Sequence, residues 1–222
     1  MIHLLFADSS LELVPENLLG HPAVKKYAKR YNKGKDILLD DSYFHSAMRN
    51  MEDRERRGRP DIVHFCLLSA LGSPLCQEGK LKVYVHTLHN QLLKFKSVTR
   101  LPRNYDRFKG LMEEVLRDGM SKNELIVMED DIDLKEFFTK INCKTIIGFS
   151  VEGEKKRLSE IIFPELLKED VALIIGAFPR GHFSEDIINI LAKKLSIYSN
   201  SLDAWIVTSR VLGRIEAVYG LF

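Results

Sequence analysis

Val171-Ala-Leu-Ile-Ile-Gly176-Ala-Phe-Pro-Arg-Gly181 begins with an unbroken apolar run and closes on two glycines. A short run of this kind, bounded by turn residues, reads as a buried strand. Upstream, Thr145 to Phe149 reads the same way, with Gly148 near its end. Downstream, Ser184 to Leu195 has helical spacing with Ser184 as its cap, Lys194 to Tyr198 is a last short strand, and Leu202 to Val218 is the final helix. Strands and helices therefore alternate, which predicts an α/β fold with a mainly parallel sheet. In such sheets the ligand crevice lies beyond the carboxyl ends of the strands.

The N-terminal half fits this frame. Ile2 to Ala7 is a strand closed by Asp8-Ser9-Ser10, and His21 to Arg30 is a basic helix with Pro22 near its start. Ile62 to Leu71, ended by Gly72-Ser73-Pro74, is a buried helix. Leu81 to His86 and Gln91 to Phe95 form a hairpin, and Asn104 to Arg117 is a helix with Phe108, Leu111, Met112, Val115 and Leu116 on one face. In the last helix Trp205, Leu212 and Tyr219 form one apolar line and Val211 and Val218 a second. Two readings stand: a central core helix, or a helix partly covered by a second subunit.

The chain has 222 residues, 45% hydrophobic and 29% charged, which excludes a disordered tail, a collagen or a coiled rod. Residues 1–222 are expected to form a single domain with a small added lobe near 20–60. No stretch is long and apolar enough to span a bilayer, and Asp8 interrupts any signal-like start. Cys66, Cys76 and Cys143 form no CxxC pair, so buried thiols are expected, and neither a disulfide nor a metal site. The expectation is a soluble protein of the cytoplasm.

A net charge of +2 conceals segregation. Lys94 to Lys109 carries six cations against one acid, Asp106, whereas Glu113 to Glu136 carries nine acids against three cations. Arg49, Arg54, Arg56, Arg57 and Arg59 form a further cluster. Arginine pairs with phosphate through two parallel bonds and stacks on bases. Arg100, Arg103 and Arg107 fit either an anionic polymer or a solvated helix face with Asp106 as local partner. In Arg59-Pro60-Asp61 the stiff proline lets the carboxylate orient the guanidinium, and Asp61 is also placed to cap the helix that follows.

Gly176 and Gly181 have the spacing of a phosphate loop, but His182-Phe183 stand where Lys and Ser/Thr would do its work. Gly148-Phe-Ser-Val-Glu152 lacks the closing glycine of a nucleophile elbow. His86 and His89 have no third ligand nearby and are expected on an exposed hairpin. What remains is a glycine-rich loop with Phe178-Pro179 inside it, better suited to an adenine ring or a thioether chain than to a triphosphate. Ile197 to Ala204 is a second such loop.

Gly58-Arg-Pro-Asp-Ile62, Val83-Tyr-Val-His-Thr87, Thr99-Arg-Leu-Pro-Arg103-Asn-Tyr-Asp-Arg-Phe108 and Gly176-Ala-Phe-Pro-Arg-Gly181, in this order, closely resemble the ribosome-biogenesis pseudouridine N1-specific methyltransferases of the SPOUT class, in their compact archaeal form. The resemblance implies a C-terminal trefoil knot, a homodimer, S-adenosylmethionine as methyl donor, and a pseudouridine of small-subunit rRNA as substrate. It also implies that Arg59, Arg100, Arg103 and Arg107 contact RNA and that Asp61 orients Arg59. Ile147, Gly148, Gly176, Phe178 and Gly181, with the knot-loop segment Ser196, Ile197, Tyr198, Ser199, Asn200, Ser201 and Leu202, are its expected donor contacts. Many relatives have Asn-Tyr-Pro-Leu-Ser where this chain has Ser199-Asn-Ser-Leu202-Asp, so backbone rather than side chains is expected to wrap the donor there.

In pseudouridine the sugar is carbon-linked and N1 bears a weakly acidic proton, so methyl transfer needs an in-line approach and gains from a base. Asp106 is the candidate base; otherwise it braces the neighbouring arginines. Two other readings share the arginine surface: an assembly chaperone with a structural donor site, and a tRNA pseudouridine methyltransferase.

Overall fold

A computed structural model describes residues 1–158, 160 and 170–221. Its centre is β1 (Ile2–Ser9), buried along its whole length. Parallel neighbours flank it: β2 (Leu81–Thr87) on one side and β6 (Val171–Gly176) on the other. The sheet grows past β2 through antiparallel β3 (Leu92–Phe95) and β4 (Ile126–Glu129). Past β6 it adds parallel β5 (Thr145–Lys155) and β7 (Lys193–Ser196). The order is β4-β3-β2-β1-β6-β5-β7, a mainly parallel sheet with an antiparallel edge.

Helices cover both faces, which explains why the inner strands read as continuous apolar runs. Leu4 and Phe6 point to one face, with Val83, Val85, Leu173 and Ile175. There they meet α3 (Pro60–Leu71), the short α4 (Pro74–Gln77), α5 (Tyr105–Asp118) and α8 (Ala204–Val218). Leu5 and Ala7 point to the other, against α6 (Leu134–Lys140) and α7 (Glu185–Ile190). A third apolar cluster gathers Val14, Val24, Tyr27, Ile37, Leu39, Phe44 and Met48 around α1 (Pro22–Tyr31) and α2 (Asp41–Phe44). The residues that hold this cluster, within 14–51, make a small lobe.

The predicted helix Ser184 to Leu195 stops early. Leu191 leaves α7 with φ −72° and ψ 124°, because Lys193 to Leu195 must pair with Ile147 to Phe149. Sheet pairing overrides local apolar spacing there. Ser184 precedes α7, but its hydroxyl caps nothing and donates instead to Asp8 Oδ1 at 2.9 Å. On α8, Val211, Leu212 and Ile215 are core residues, whereas Trp205 and Tyr219 are only partly covered.

Candidate active site

The carboxyl ends of β5, β6 and β7 open into one cavity of about 470 Å³, within the range of small-molecule sites. Phe149, Ser150 and Val151 line it from β5, Ile175 and Gly176 from β6, and Leu195 and Ser196 from β7. Phe178 and Gly181 from one loop, and Ile197, Tyr198 and Asn200 to Ala204 from the next, close around it. A Cβ on Gly176 would stand 2.5 Å from the Phe178 ring, so only glycine lets that ring fold over the strand end. Gly181 has φ +100°, a conformation that L side chains rarely adopt.

Of the expected donor contacts, Gly176, Phe178, Gly181, Ser196, Ile197, Tyr198, Asn200, Ser201 and Leu202 line the cavity. Ile147, Gly148 and Ser199 do not. Ile147 is core, and Gly148 is crowded by Leu191, whose side chain would lie 2.6 Å from a Cβ there. The strand reaches the cavity only at Phe149 to Val151.

Arg59 lines the same cavity. Its Nε and Nη2 donate to Asp61 Oδ1 and Oδ2 at 2.8 and 2.7 Å, a two-bond fork. Pro60 starts α3 and Asp61 follows in its first turn, where an acid is favoured by the helix dipole. Both carboxylate oxygens are thus committed to Arg59, and the helix cap position belongs to Arg59 itself. Asp61 holds the guanidinium charged and raises its pKa above the ordinary value. The Arg59 N–H donates to Ser10 Oγ, tying this corner to the end of β1.

Arg180 also lines the cavity, whereas the three other arginines expected to contact RNA form a rim outside its lining. Arg100, Arg103 and Arg107 are all exposed and, among the described residues, meet no carboxylate. His64 Nε2, one turn beyond Asp61 on α3, donates to Pro102 O at 2.8 Å and sets this rim beside Arg59. Asp106 does not brace those arginines. Its side chain is 74% exposed and pairs with Lys109 at 3.1 Å, away from the cavity lining.

Asp8 and Arg56 escaped the sequence reading. Asp8 is buried with φ +49° at the irregular end of β1. It accepts from Ser184 N at 2.7 Å, from the Ser184 hydroxyl, and from Arg56 Nη2 at 3.2 Å. The Arg56 stem packs on Gly181, and its guanidinium lies 4.8 Å from the Phe178 ring centroid. The loop before Arg59 therefore buttresses the loop that closes the cavity. An acid ending an apolar run was the one local signal.

His86 is not exposed as expected. It is buried, and Nε2 meets Asn90 Oδ1 at 3.1 Å. His89 turns instead to Glu12, at 2.8 Å. The three thiols are buried and unbridged, and burial pushes Cys66 up to about 12.

His64 carries a pH prediction. It stacks on Phe108 at 4.2 Å, and burial holds its pKa below the ordinary 6.5. As pH falls, the unfolded chain takes up this proton first. The stability from the neutral ring is full above about pH 6.5 and is lost as pH falls through the lower folded value. His3, buried beside Tyr84, acts in the same direction. Glu12, also lowered, acts below about pH 4.5 and leaves the window from 7.5 to 5 to the histidines. Thermal unfolding is expected at lower temperature at pH 5 than at 7.5, with a shallower slope in His64→Gln. An identical slope in that variant would refute the assignment.

A mainly parallel sheet whose last strands and loops ring one cleft is the arrangement of the SPOUT class of methyltransferases. A crystal structure of Archaeoglobus fulgidus Nep1 bound to S-adenosylhomocysteine matches it with a TM-score of 0.85 at 41% identity, covering 98% of each chain. The family model described as EMG1/NEP1 methyltransferase matches residues 4–216, and this chain belongs to that family. The ribosomal RNA small subunit methyltransferase Nep1 of Thermococcus onnurineus is 42% identical over 97% of this chain and 98% of its own. That of Methanothrix thermoacetophila is 43% identical over 97% and 96%.

Proposed function

We propose that this chain transfers a methyl group from S-adenosylmethionine to N1 of a pseudouridine in small-subunit rRNA. The observation that carries the reading is that Arg59, locked by Asp61, lines the same cavity as the Gly176 to Gly181 and Ser196 to Leu202 loops. The cavity suits the donor: glycine backbone for close approach, Phe178 and Ile197 for its apolar parts, and hydroxyls at its rim. S-adenosylmethionine supplies an electrophilic methyl carbon on a sulfonium. The chain's share is to hold and orient, with Arg59 fixing the nucleotide and Arg100, Arg103 and Arg107 gripping flanking phosphates.

In the same reading the C-terminal part is knotted and the enzyme is a cytoplasmic homodimer. Phe65, 48% exposed and tilted at 51° against Trp205 with ring centroids 5.3 Å apart, offers an aromatic face beside the cavity for a second copy.

Methyl transfer from labelled donor to a short rRNA hairpin, with and without pseudouridine, tests the activity. Transfer only to the pseudouridine form is expected, and equal transfer to both, or to neither, defeats it. Asp106 is 74% exposed, pairs with Lys109 and is not among the cavity's lining residues, which argues against its serving as base. Asp106→Asn is therefore expected to leave the single-turnover rate at saturating RNA within about twofold of the parent. A loss near a hundredfold would restore the base assignment, since general bases contribute about 10²–10⁴.

A further inference from the structure

We infer that Tyr31 and Tyr43 form a stacking platform for unpaired RNA outside the target nucleotide, a second subsite beside the arginine rim. The inference rests on the RNA-methyltransferase reading and extends it to the added lobe.

Three tyrosines gather at the outer edge of that lobe. Tyr27 is buried, with Tyr31 at 4.5 Å and Tyr43 at 4.8 Å between ring centroids. Tyr31 and Tyr43 are 42% and 41% exposed, so they contribute ring surface the lobe's core does not use. They stand nearly perpendicular, at 83° and 6.3 Å. The site is rigid. Buried Lys109 places its ammonium 4.4 Å from the Tyr43 centroid and 5.7 Å from that of Tyr27. Asp40 accepts from the Tyr105 hydroxyl at 3.0 Å and pairs with Lys109 at 3.6 Å, bolting the lobe to α5.

Its surroundings favour a polyanion. α1 carries Lys25, Lys26, Lys29 and Arg30, all exposed, and no acid. Arg30 lies 5.4 Å from the Tyr31 centroid. Of the acids nearby, Asp40 and Asp106 share the one ammonium of Lys109 and Asp41 meets His45, so Lys109 and the four cations of α1 outnumber these three carboxylates. The backbone that carries the platform is also tied to the active-site segment, because Asp41 N donates to Gly58 O, one residue before Arg59. Exposed aromatic faces among unneutralised cations are what single-stranded nucleic acid recognises, by base stacking and backbone attraction.

The probe is a labelled strand of twelve uridines, which lacks the methylation target, titrated at two salt concentrations. The double variant Tyr31→Ala, Tyr43→Ala is expected to bind it roughly ten- to hundredfold more weakly, with the salt dependence unchanged because no phosphate contact is lost. Tyr31→Phe with Tyr43→Phe keeps the rings and should bind like the parent. S-adenosylhomocysteine titration of each variant checks that the cavity is intact. The platform is overturned if the parent does not bind the strand, if the alanine variant stays within twofold, if the phenylalanine variant falls as far, or if a polyglutamate peptide binds the parent as tightly. Strand binding by a parent that transfers no methyl group would defeat the activity and keep the platform.

Discussion

Asp61→Ala is expected to lower methyl transfer at subsaturating RNA by up to about thirtyfold, while S-adenosylhomocysteine affinity stays within about twofold. Asp61 takes both guanidinium bonds of Arg59 but does not itself line the cavity. The Arg59 side chain is 42% exposed, so its freedom is restrained chiefly by that fork. Released, it regains up to roughly 2 kcal/mol of rotamer entropy, which ordering by RNA must then overcome. An exposed ion pair of this kind contributes only about 0–1 kcal/mol to folding, so the melting temperature should hardly move. If Asp61 acts only through Arg59, the double variant Arg59→Ala, Asp61→Ala should be no worse than Arg59→Ala alone. Additive losses would give Asp61 a role of its own, and full activity in Asp61→Ala would remove the orienting role.

Arg59-Pro60-Asp61 was legible because its geometry is local: two residues across a stiff proline at a helix start. The same holds for β1, β2, β5 and β6, whose apolar runs record burial on both faces. The end of α7 was not legible. Ile187, Ile188, Ile190 and Leu191 have helical spacing, and only the distant pairing of β7 with β5 shows why the helix must stop. Gly148 invited a ligand explanation, yet its closest neighbour is Leu191 from that same turn. β4 and α6 hid within the acidic segment, since a four-residue edge strand buries too little to leave a pattern. Asp8 finds its partners 48 and 176 residues away, so no window of sequence could link it to Arg56 or Ser184. The Gly176 to Gly181 and Ile197 to Ala204 loops were legible from their own residues as two similar loops near the C-terminus, and both line one cavity.

Gly153→Ala is expected to weaken S-adenosylhomocysteine binding at least tenfold and to lower the melting temperature. A Cβ on Gly153 would stand 2.5 and 2.6 Å from Leu195 C and N, and 2.7 Å from Lys194 C. These are backbone atoms with no rotamer to yield, so the strands must part. Overpacking usually costs about 1–3 kcal/mol, and a backbone clash belongs at the upper end. The displacement has a definite destination. β5 holds β7 through Glu154 opposite Leu195 and Lys155 opposite Ser196, and Lys156 N donates to Ser196 O at 2.9 Å. Leu195 and Ser196 line the cavity, and the Ile197 to Leu202 loop continues from them. Gly213→Ala on α8 is the matched control, since its Cβ would meet nothing within 4 Å. That change should be neutral or stabilising by up to about 1 kcal/mol. If Gly153→Ala melts early yet holds the ligand as tightly as the parent, the close strand crossing supports the fold alone, and the cavity wall takes its shape from the loops above it.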